Sequence, residues 1–534
     1  MSEIKTVMLT GNDLTIEEIV AIGVGDRTVT LDPAAVERCR QSRAFLESEV
    51  RSGKILYGVN TSFGPMCNKI VRGDEIETLQ LNLIRSHAAG LGSPIAPYIA
   101  RGVLVLRLNT LLKGFSGVRI ILLETLRDMI NSGIAPYIPE SGSVGASGDL
   151  IHLAHVALGM IGEGKVYYRG ELTDARSALD RAGIKPLIPS FKEGLALING
   201  TAAMTSLAAF ALFGAEKALR LAHLTAAFAM EIFGGIDDAF DEQLHALKPH
   251  PGQVAAARTI RRLYHGSTNI TERGEIHRRI GAERDVAQTV YQAGVNVQDV
   301  YSIRCTAQIL APVIETLEAV RKTVQIEANS VNDNPVVIPG TGILHGGNFH
   351  GQSLSFAMDT LSIAVCTLCN LSERRINKLL DKSLNEGLPE HLVAGGEAGL
   401  VMGFMGAQYL AVSCTAETRH LANPVSIHSI SCNASNQDVV SMGTIAARRA
   451  FQVVRNAKHV LTLETLCDLQ ALALRNKGTL GYGIGTFRSH LADVFHVYDN
   501  TRVLHDDLAA MRKKLFSSPL LSSLAPYLES TQNI

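Results

Sequence analysis

Tryptophan is absent from the 534 residues, and Phe, Trp and Tyr together make up only 5%. So little aromatic mass argues against a β-sandwich or a carbohydrate-binding surface, and the apolar share of 46% is carried by Ala, Leu and Ile. That share is also too high for a disordered chain. Charge of one sign is lacking as well. Lys plus Arg number 50 against 51 Asp plus Glu, which argues against an electrostatic nucleic-acid binder or a polybasic membrane-surface protein and leaves small ligands as the expected partners. Eight cysteines are scattered along the chain, too sparse for a disulfide framework. Cys366 and Cys369 form a Cys-x-x-Cys pair, but inside an apolar helical pattern, where reduced buried thiols are the expectation. Met1-Ser-Glu-Ile-Lys5 has no basic start or apolar core of a secretory signal, and no apolar run reaches about 18 uninterrupted residues. A cytoplasmic protein with no membrane association is expected.

What the chain has in abundance is helical periodicity. Apolar residues recur at helical spacing over Ile76 to Leu91, Pro97 to Leu112, Val118 to Ser132, Thr205 to Ile236, Gln288 to Ile326, Ser353 to Leu384 and Asn436 to Leu474. The Thr205 to Ile236 stretch is apolar on nearly every face, as in a helix buried within a large bundle. Only Thr28 to Leu31 and Val166 to Arg169 read as strands, and as peripheral ones. The fold expected is all-α. Breaks rich in Gly and Asn divide it into a smaller N-terminal part over 1–200, a central bundle of long helices over 201–480 and a C-terminal helical segment over 481–534.

Three of those breaks carry unusual chemistry: 139–149, 329–335 and 345–351. In the first, Gly142-Ser-Val-Gly-Ala146-Ser147-Gly148-Asp149 runs straight into a helix, with Asp149 at the N-cap position. A helix N-terminus attracts anions, but neither phosphate-loop nor dinucleotide glycine spacing is met, so no nucleotide is expected. His152 with His155, and His345 with His350, lack the accompanying ligands of a metal site and read as ordinary histidines. No metal is expected.

Other segments follow in order. They are Tyr57-Gly-Val-Asn-Thr-Ser62-Phe-Gly64, Asn199-Gly200-Thr201, Tyr301-Ser-Ile-Arg304, Asn329-Ser-Val-Asn-Asp-Asn334-Pro335, Gly347-Asn-Phe349-His-Gly351 and Asn436-Gln437-Asp438-Val-Val-Ser-Met442. With the Ala-Ser-Gly triad, these blocks resemble the ammonia-lyase and aminomutase family acting on histidine, phenylalanine and tyrosine. Ser62 stands where the family usually has Gly, and Ile151-His152 where many relatives have Ala-Pro or Val-Pro.

The resemblance implies a fumarase/aspartase-like helical bundle assembled as a homotetramer with shared active sites. It also implies a 4-methylideneimidazol-5-one group (MIO) formed autocatalytically from Ala146, Ser147 and Gly148, in the N-terminal part. Glycine suits the third position, because the Gly148 amide nitrogen must close on the Ala146 carbonyl in a five-membered ring. By resemblance, Tyr57 is the base, Asn199 and Tyr301 support the group's oxygen, Arg304 with Asn334 holds the substrate carboxylate, and Phe349 packs on a ring. Gly64, Asn436 and Gln437 complete the substrate site. A tyrosine titrates near about 10 when unperturbed, so nearby cationic or helix-dipole fields are expected to favour its phenolate. The planar fork of Arg304 suits bidentate carboxylate pairing.

The family's specificity pair falls at Ser86-His87. Ser-His occurs in histidine lyases and in several tyrosine lyases and aminomutases, whereas Gln437-Asp438 is similar to the tyrosine and phenylalanine enzymes. His87, with Tyr409 as a second contact, suits a phenol. The expected reaction is elimination of ammonia from L-tyrosine to give p-coumarate. The alternatives are phenylalanine ammonia-lyase giving cinnamate, then tyrosine 2,3-aminomutase or histidine ammonia-lyase, and last a non-catalytic helical-bundle homologue.

Overall fold

The computed structural model describes residues 5–283, 289–475, 478–517, 520 and 523–528. It is helical through most of its length. Four helices dominate: Ala202–Phe233, Thr306–Ala328, Gln352–Leu380 and Gly443–Arg475. The last has 33 residues, about 50 Å at 1.5 Å per residue. The 18-residue apolar windows of Ala202–Phe233 and Gln352–Leu380 satisfy the length and composition of a membrane span, but 89% and 72% of them are buried inside the protein. They behave as core helices.

Most helix ends shift by a few residues from the sequence expectation, and two starts shift further. The periodic stretch expected from Gln288 has that start outside the described residues; 289–300 is not helical, and helix begins with the short Tyr301–Arg304 and then Thr306–Ala328. The stretch from Asn436 becomes helical only at Gly443. Asn433, Ala434, Ser435 and Met442 all have left-handed backbone, with φ between 52° and 60°, and a right-handed helix cannot pass through them.

Contacts divide the chain into two compact units, each built from three non-consecutive stretches, whereas the expected segments follow chain order. The first comprises 1–213, 320–359 and 424–451, and the second 214–319, 360–423 and 452–534. In the first unit the helix Pro97–Leu112 is buried through most of its length. Short strands lie around it: Lys5–Leu9 pairs in parallel with Arg27–Leu31, and Lys165–Tyr168 lies between Ala135–Pro136 and Glu171–Asp174. In the second unit, Glu464 accepts from Arg375 and Ser372 with all three side chains buried. A charge-assisted pair of this kind fixes the register of two packed helices.

Candidate active site

Tyr57 is carried on a loop whose flanks are pinned to an apolar cluster. Leu56 and Val59 pack with Leu46 and Val337, and Phe191 and Ile343 lean on them. Asn60 closes the turn, its Oδ1 accepting from Leu56 N at 2.7 Å and its Nδ2 donating to Lys54 O at 2.8 Å. Ser62 keeps a negative φ, so nothing in the backbone demands glycine there. The Tyr57 hydroxyl accepts from Gly64 N at 3.1 Å. Burial pushes the Tyr57 phenol above its ordinary value, and the Gly64 N–H pulls back against that. The cationic field expected to favour the phenolate is therefore not what dominates; desolvation is.

The Ala146-Ser147-Gly148 turn is clamped from two sides. Gly148 has φ +68° and forms a parallel bridge with Gly200, and a Cβ on Gly148 would stand 2.0 Å from Gly200 O. Only glycine fits there. Asn199 Nδ2 donates to Ser147 O at 3.0 Å, and Gln437 Nε2 donates to Ser147 Oγ at 3.0 Å. Asp149 occupies the N-cap position of Leu150–Met160 without capping it. Its carboxylate instead accepts from Met204 N at 2.9 Å and Thr444 Oγ1 at 2.5 Å, so it ties the turn to two other helices. Full burial raises its pKa to about 6, with those hydrogen bonds opposing.

These pieces meet at a cavity of about 320 Å³. Tyr57, Gly64, His87, Ser147, Asn199, Asn334, Phe349, Asn436 and Gln437 line it, so nine of the expected residues share one wall system. Ala146 and Gly148 lie beside Ser147 in the turn. Asn334 Oδ1 accepts from Gly346 N at 2.7 Å, which leaves its amide N–H groups for a ligand. His87 Nδ1 lies 2.9 Å from Leu83 O; a carbonyl only accepts, so Nδ1 is the donor, and a neutral ring presents Nε2 as an acceptor.

Four expected residues are not in that lining. Ser86 is exposed and bonds Leu83 O and His87 Nδ1. Tyr301, Arg304 and Tyr409 belong to the second unit. There Tyr301 is 68% and Tyr409 71% exposed, and the Arg304 guanidinium lies 4.6 Å from the Tyr301 ring centroid. Conversely, Phe63, Cys67, Leu83, Leu150, Leu195, His345 and Asn433 line the cavity, though none was assigned to the site from the sequence. His345, read as ordinary, stands edge-on to Tyr57 with ring centroids 6.3 Å apart. Its place in the Gly-rich break 345–351 was the available signal. Among the described residues the wall holds no carboxylate, and Asp438 is exposed outside it.

The aromatic amino acid lyase family model matches residues 14–493. The chain belongs to this family. The aromatic amino acid lyases and the related aminomutases share its all-α architecture, and as a member it is a carbon–nitrogen lyase. It is 42% identical over 511 residues to a histidine ammonia-lyase of Treponema denticola, covering 95% of this chain and 96% of the relative. Among solved structures, the tyrosine aminomutase of Streptomyces globisporus superposes with a TM-score of 0.93 at 37% identity, covering 98% of this chain and 99% of the other. The histidine ammonia-lyase of Trypanosoma cruzi gives 0.88 at 35%, covering 98% and 96%. The curated relatives thus favour the histidine alternative over the tyrosine reading.

Proposed function

We propose that the chain is an ammonia-lyase that converts L-histidine to the corresponding imidazolylacrylate and ammonia, in a cavity that carries an autocatalytically formed MIO group. The near-full-length likeness to histidine ammonia-lyases supports the substrate. One observation carries the chemistry: a tyrosine hydroxyl, an Ala-Ser-Gly turn that accommodates only glycine at its third position, and an asparagine amide on the serine carbonyl meet at a single cavity. That set fits MIO, because the Asn199 amide donates to the Ser147 carbonyl oxygen, which the cyclised group would retain. The group, once formed, supplies an electrophilic carbon that makes the substrate's amine a better leaving group.

The chain's own residues do the rest. Tyr57 takes the β-proton, its oxygen held by the Gly64 N–H. Asn199 stabilises negative charge at the Ser147 carbonyl oxygen. Asn334 offers N–H donors to the substrate carboxylate, and His87 offers an acceptor to a ring N–H. Arg304 and Tyr301 enter this reading from a neighbouring copy in a homotetramer, Arg304 pairing with the carboxylate.

A second reading, L-tyrosine giving p-coumarate, is favoured by a specific observation. Among the described residues the cavity wall holds no carboxylate to meet an imidazole, Asp438 standing outside it, while the His87 acceptor suits a phenol O–H equally well. Incubation with L-histidine, L-tyrosine and L-phenylalanine, with mass spectrometry of acrylates and β-amino acids, decides between these readings and between lyase and aminomutase outcomes. Release of acrylate from none of the three would overturn the lyase proposal.

A further inference from the structure

Below the Ala146-Ser147-Gly148 turn lies a side chain that none of the chemistry above uses. Arg107, on the helix Pro97–Leu112, is fully buried. Its Nη1 donates to Asn199 O at 2.9 Å and to Asn332 Oδ1 at 3.3 Å. Its Nε and Nη2 have no hydrogen-bond partner among the described residues. Burying a guanidinium with two unpartnered nitrogens is unfavourable, and Asp333 and Asp149 are the charges that offset it. The side chain is therefore held by its surroundings and cannot swing out to solvent.

What it presses on is Gly200. A Cβ on Gly200 would stand 2.0 Å from Arg107 Nη1, and a Cβ on Gly148 would stand 2.0 Å from Gly200 O. The Asn199–Gly200 backbone thus runs through a slot with the guanidinium on one side and the triad's glycine on the other. Asp149 N donates to Gly200 O at 2.7 Å, which closes the slot on the triad side. Asn199 is fixed at both ends: its carbonyl by Arg107, and its side chain between Ser147 O and Asn334 N, the latter at 2.8 Å. Asn332 ties the underside together, its Nδ2 donating to Thr201 Oγ1 at 2.8 Å.

We infer that Arg107 is the positioning residue for maturation of the triad, holding Asn199–Gly200 against Gly148 so that the Gly148 amide nitrogen is kept within reach of the Ala146 carbonyl carbon. The inference rests on the MIO reading above. Ring closure forms the bond from Gly148 N to Ala146 C, and the Ala146 oxygen leaves as water with the amide hydrogens of Gly148 and Ser147. The Ser147 hydroxyl leaves as a second water with the Cα hydrogen. No oxidant or co-reactant is consumed. Without the guanidinium, the Asn199–Gly200 strand can relax away, the turn opens and the Asn199 amide loses its aim at Ser147 O.

The test is intact-protein mass, followed with time after synthesis, for wild type, Arg107→Lys, Arg107→Gln and Arg107→Met, alongside circular dichroism and thermal melting. Wild type is expected to lose two waters. Folded Arg107→Met and Arg107→Gln should retain one or both in most molecules, losing them at least tenfold more slowly. Arg107→Lys keeps the charge and one donor and should be intermediate. In the matured fraction kcat should fall while KM stays within a few-fold, since Arg107 touches no substrate. A folded Arg107→Met that matures as fast and as fully as wild type would overturn the proposal. So would failure of all three variants to fold, which would assign Arg107 to stability alone. A wild type that loses no water would instead sink the MIO reading, a result separable from either.

Discussion

Gln437 and Ser147 are 290 positions apart in the chain, yet the amide of one donates to the hydroxyl of the other at 3.0 Å. The hydroxyl is the one that must leave when the triad matures, and a donor on a departing oxygen stabilises the charge that builds there. The loop that carries Gln437 has left-handed backbone at Asn433, Ala434 and Ser435, and the helix Gly443–Arg475 starts only after it.

Ser147→Ala keeps the Cβ but removes the hydroxyl whose departure would turn that carbon into the methylidene. It should leave the helical circular dichroism unchanged while turnover falls by several orders of magnitude, because the hydroxyl contributes to chemistry and little to packing. Gln437→Leu should do less. Its expected signature is a population short of only one water by intact mass, ring closed and serine not yet dehydrated. Full loss of two waters at the wild-type rate would remove Gln437 from that role.

Tyr57→Phe separates maturation from elimination. The variant should lose both waters normally and show kcat lower by roughly 10² to 10⁴, the usual range for a lost general base. The direction of the Tyr57 shift adds a pH expectation. With the phenol pushed above its ordinary value by burial, the phenolate fraction in the free enzyme keeps growing with pH, so kcat/KM should climb without a plateau through neutral and mildly alkaline pH. A plateau beginning near neutrality would show that Tyr57 is not the titrating base in this state.

Much of this was legible in the sequence because helical periodicity and short polar blocks are local signals. Helix Pro97–Leu112 appears with its expected ends, and the buried Cys369 thiol, its pKa raised to about 12, behaves as an apolar filler as the helical pattern implied. The parts that were not legible depend on what meets through space. Nothing in the spacing of His345 says that its ring will stand against Tyr57. Nor does Asp149, at an N-cap position, announce that its carboxylate will turn to Met204 and Thr444 instead. Tyr301, Arg304 and Tyr409 were grouped with the site by resemblance, while within one chain they belong to the second unit. The homotetramer reading has to account for that membership.

His87 tests the substrate. If its acceptor meets the ring N–H of histidine or the O–H of tyrosine, His87→Phe should lower kcat/KM for whichever is the true substrate relative to phenylalanine by roughly 10². That is about 2.7 kcal/mol at 1.36 per decade. Steady-state kinetics on all three amino acids give the ratios. Unchanged ratios would make His87 a helix histidine satisfied by Leu83 O.

The last expectation concerns acid stability and His152, one of the two residues that depart from the usual family pattern after the triad. His152 is buried, and its pKa is pushed down to about 4, first by desolvation and further by the nearby Arg448 and His155, with the Glu140 backbone opposing. The unfolded chain protonates its histidine near about 6.5, whereas the folded protein resists until about pH 4. Below 6.5 the unfolded state therefore binds the extra proton, and stability contributed by the neutral folded form is lost as pH falls from 6.5 to 4. The full loss is about 3 kcal/mol for a shift of this size. Asp149 works the other way, since its raised pKa of about 6 means that stability falls as pH rises from the ordinary carboxylate value toward 6. The two trends overlap, so the wild-type curve alone cannot assign either. The difference between wild type and His152→Leu isolates the histidine, because Asp149 is common to both. Denaturant melts between pH 7 and 4 should show the variant gaining on wild type steadily below 6.5, and a pH-independent difference would mean that His152 is protonated in the folded protein or hydrated in a way that its burial does not suggest.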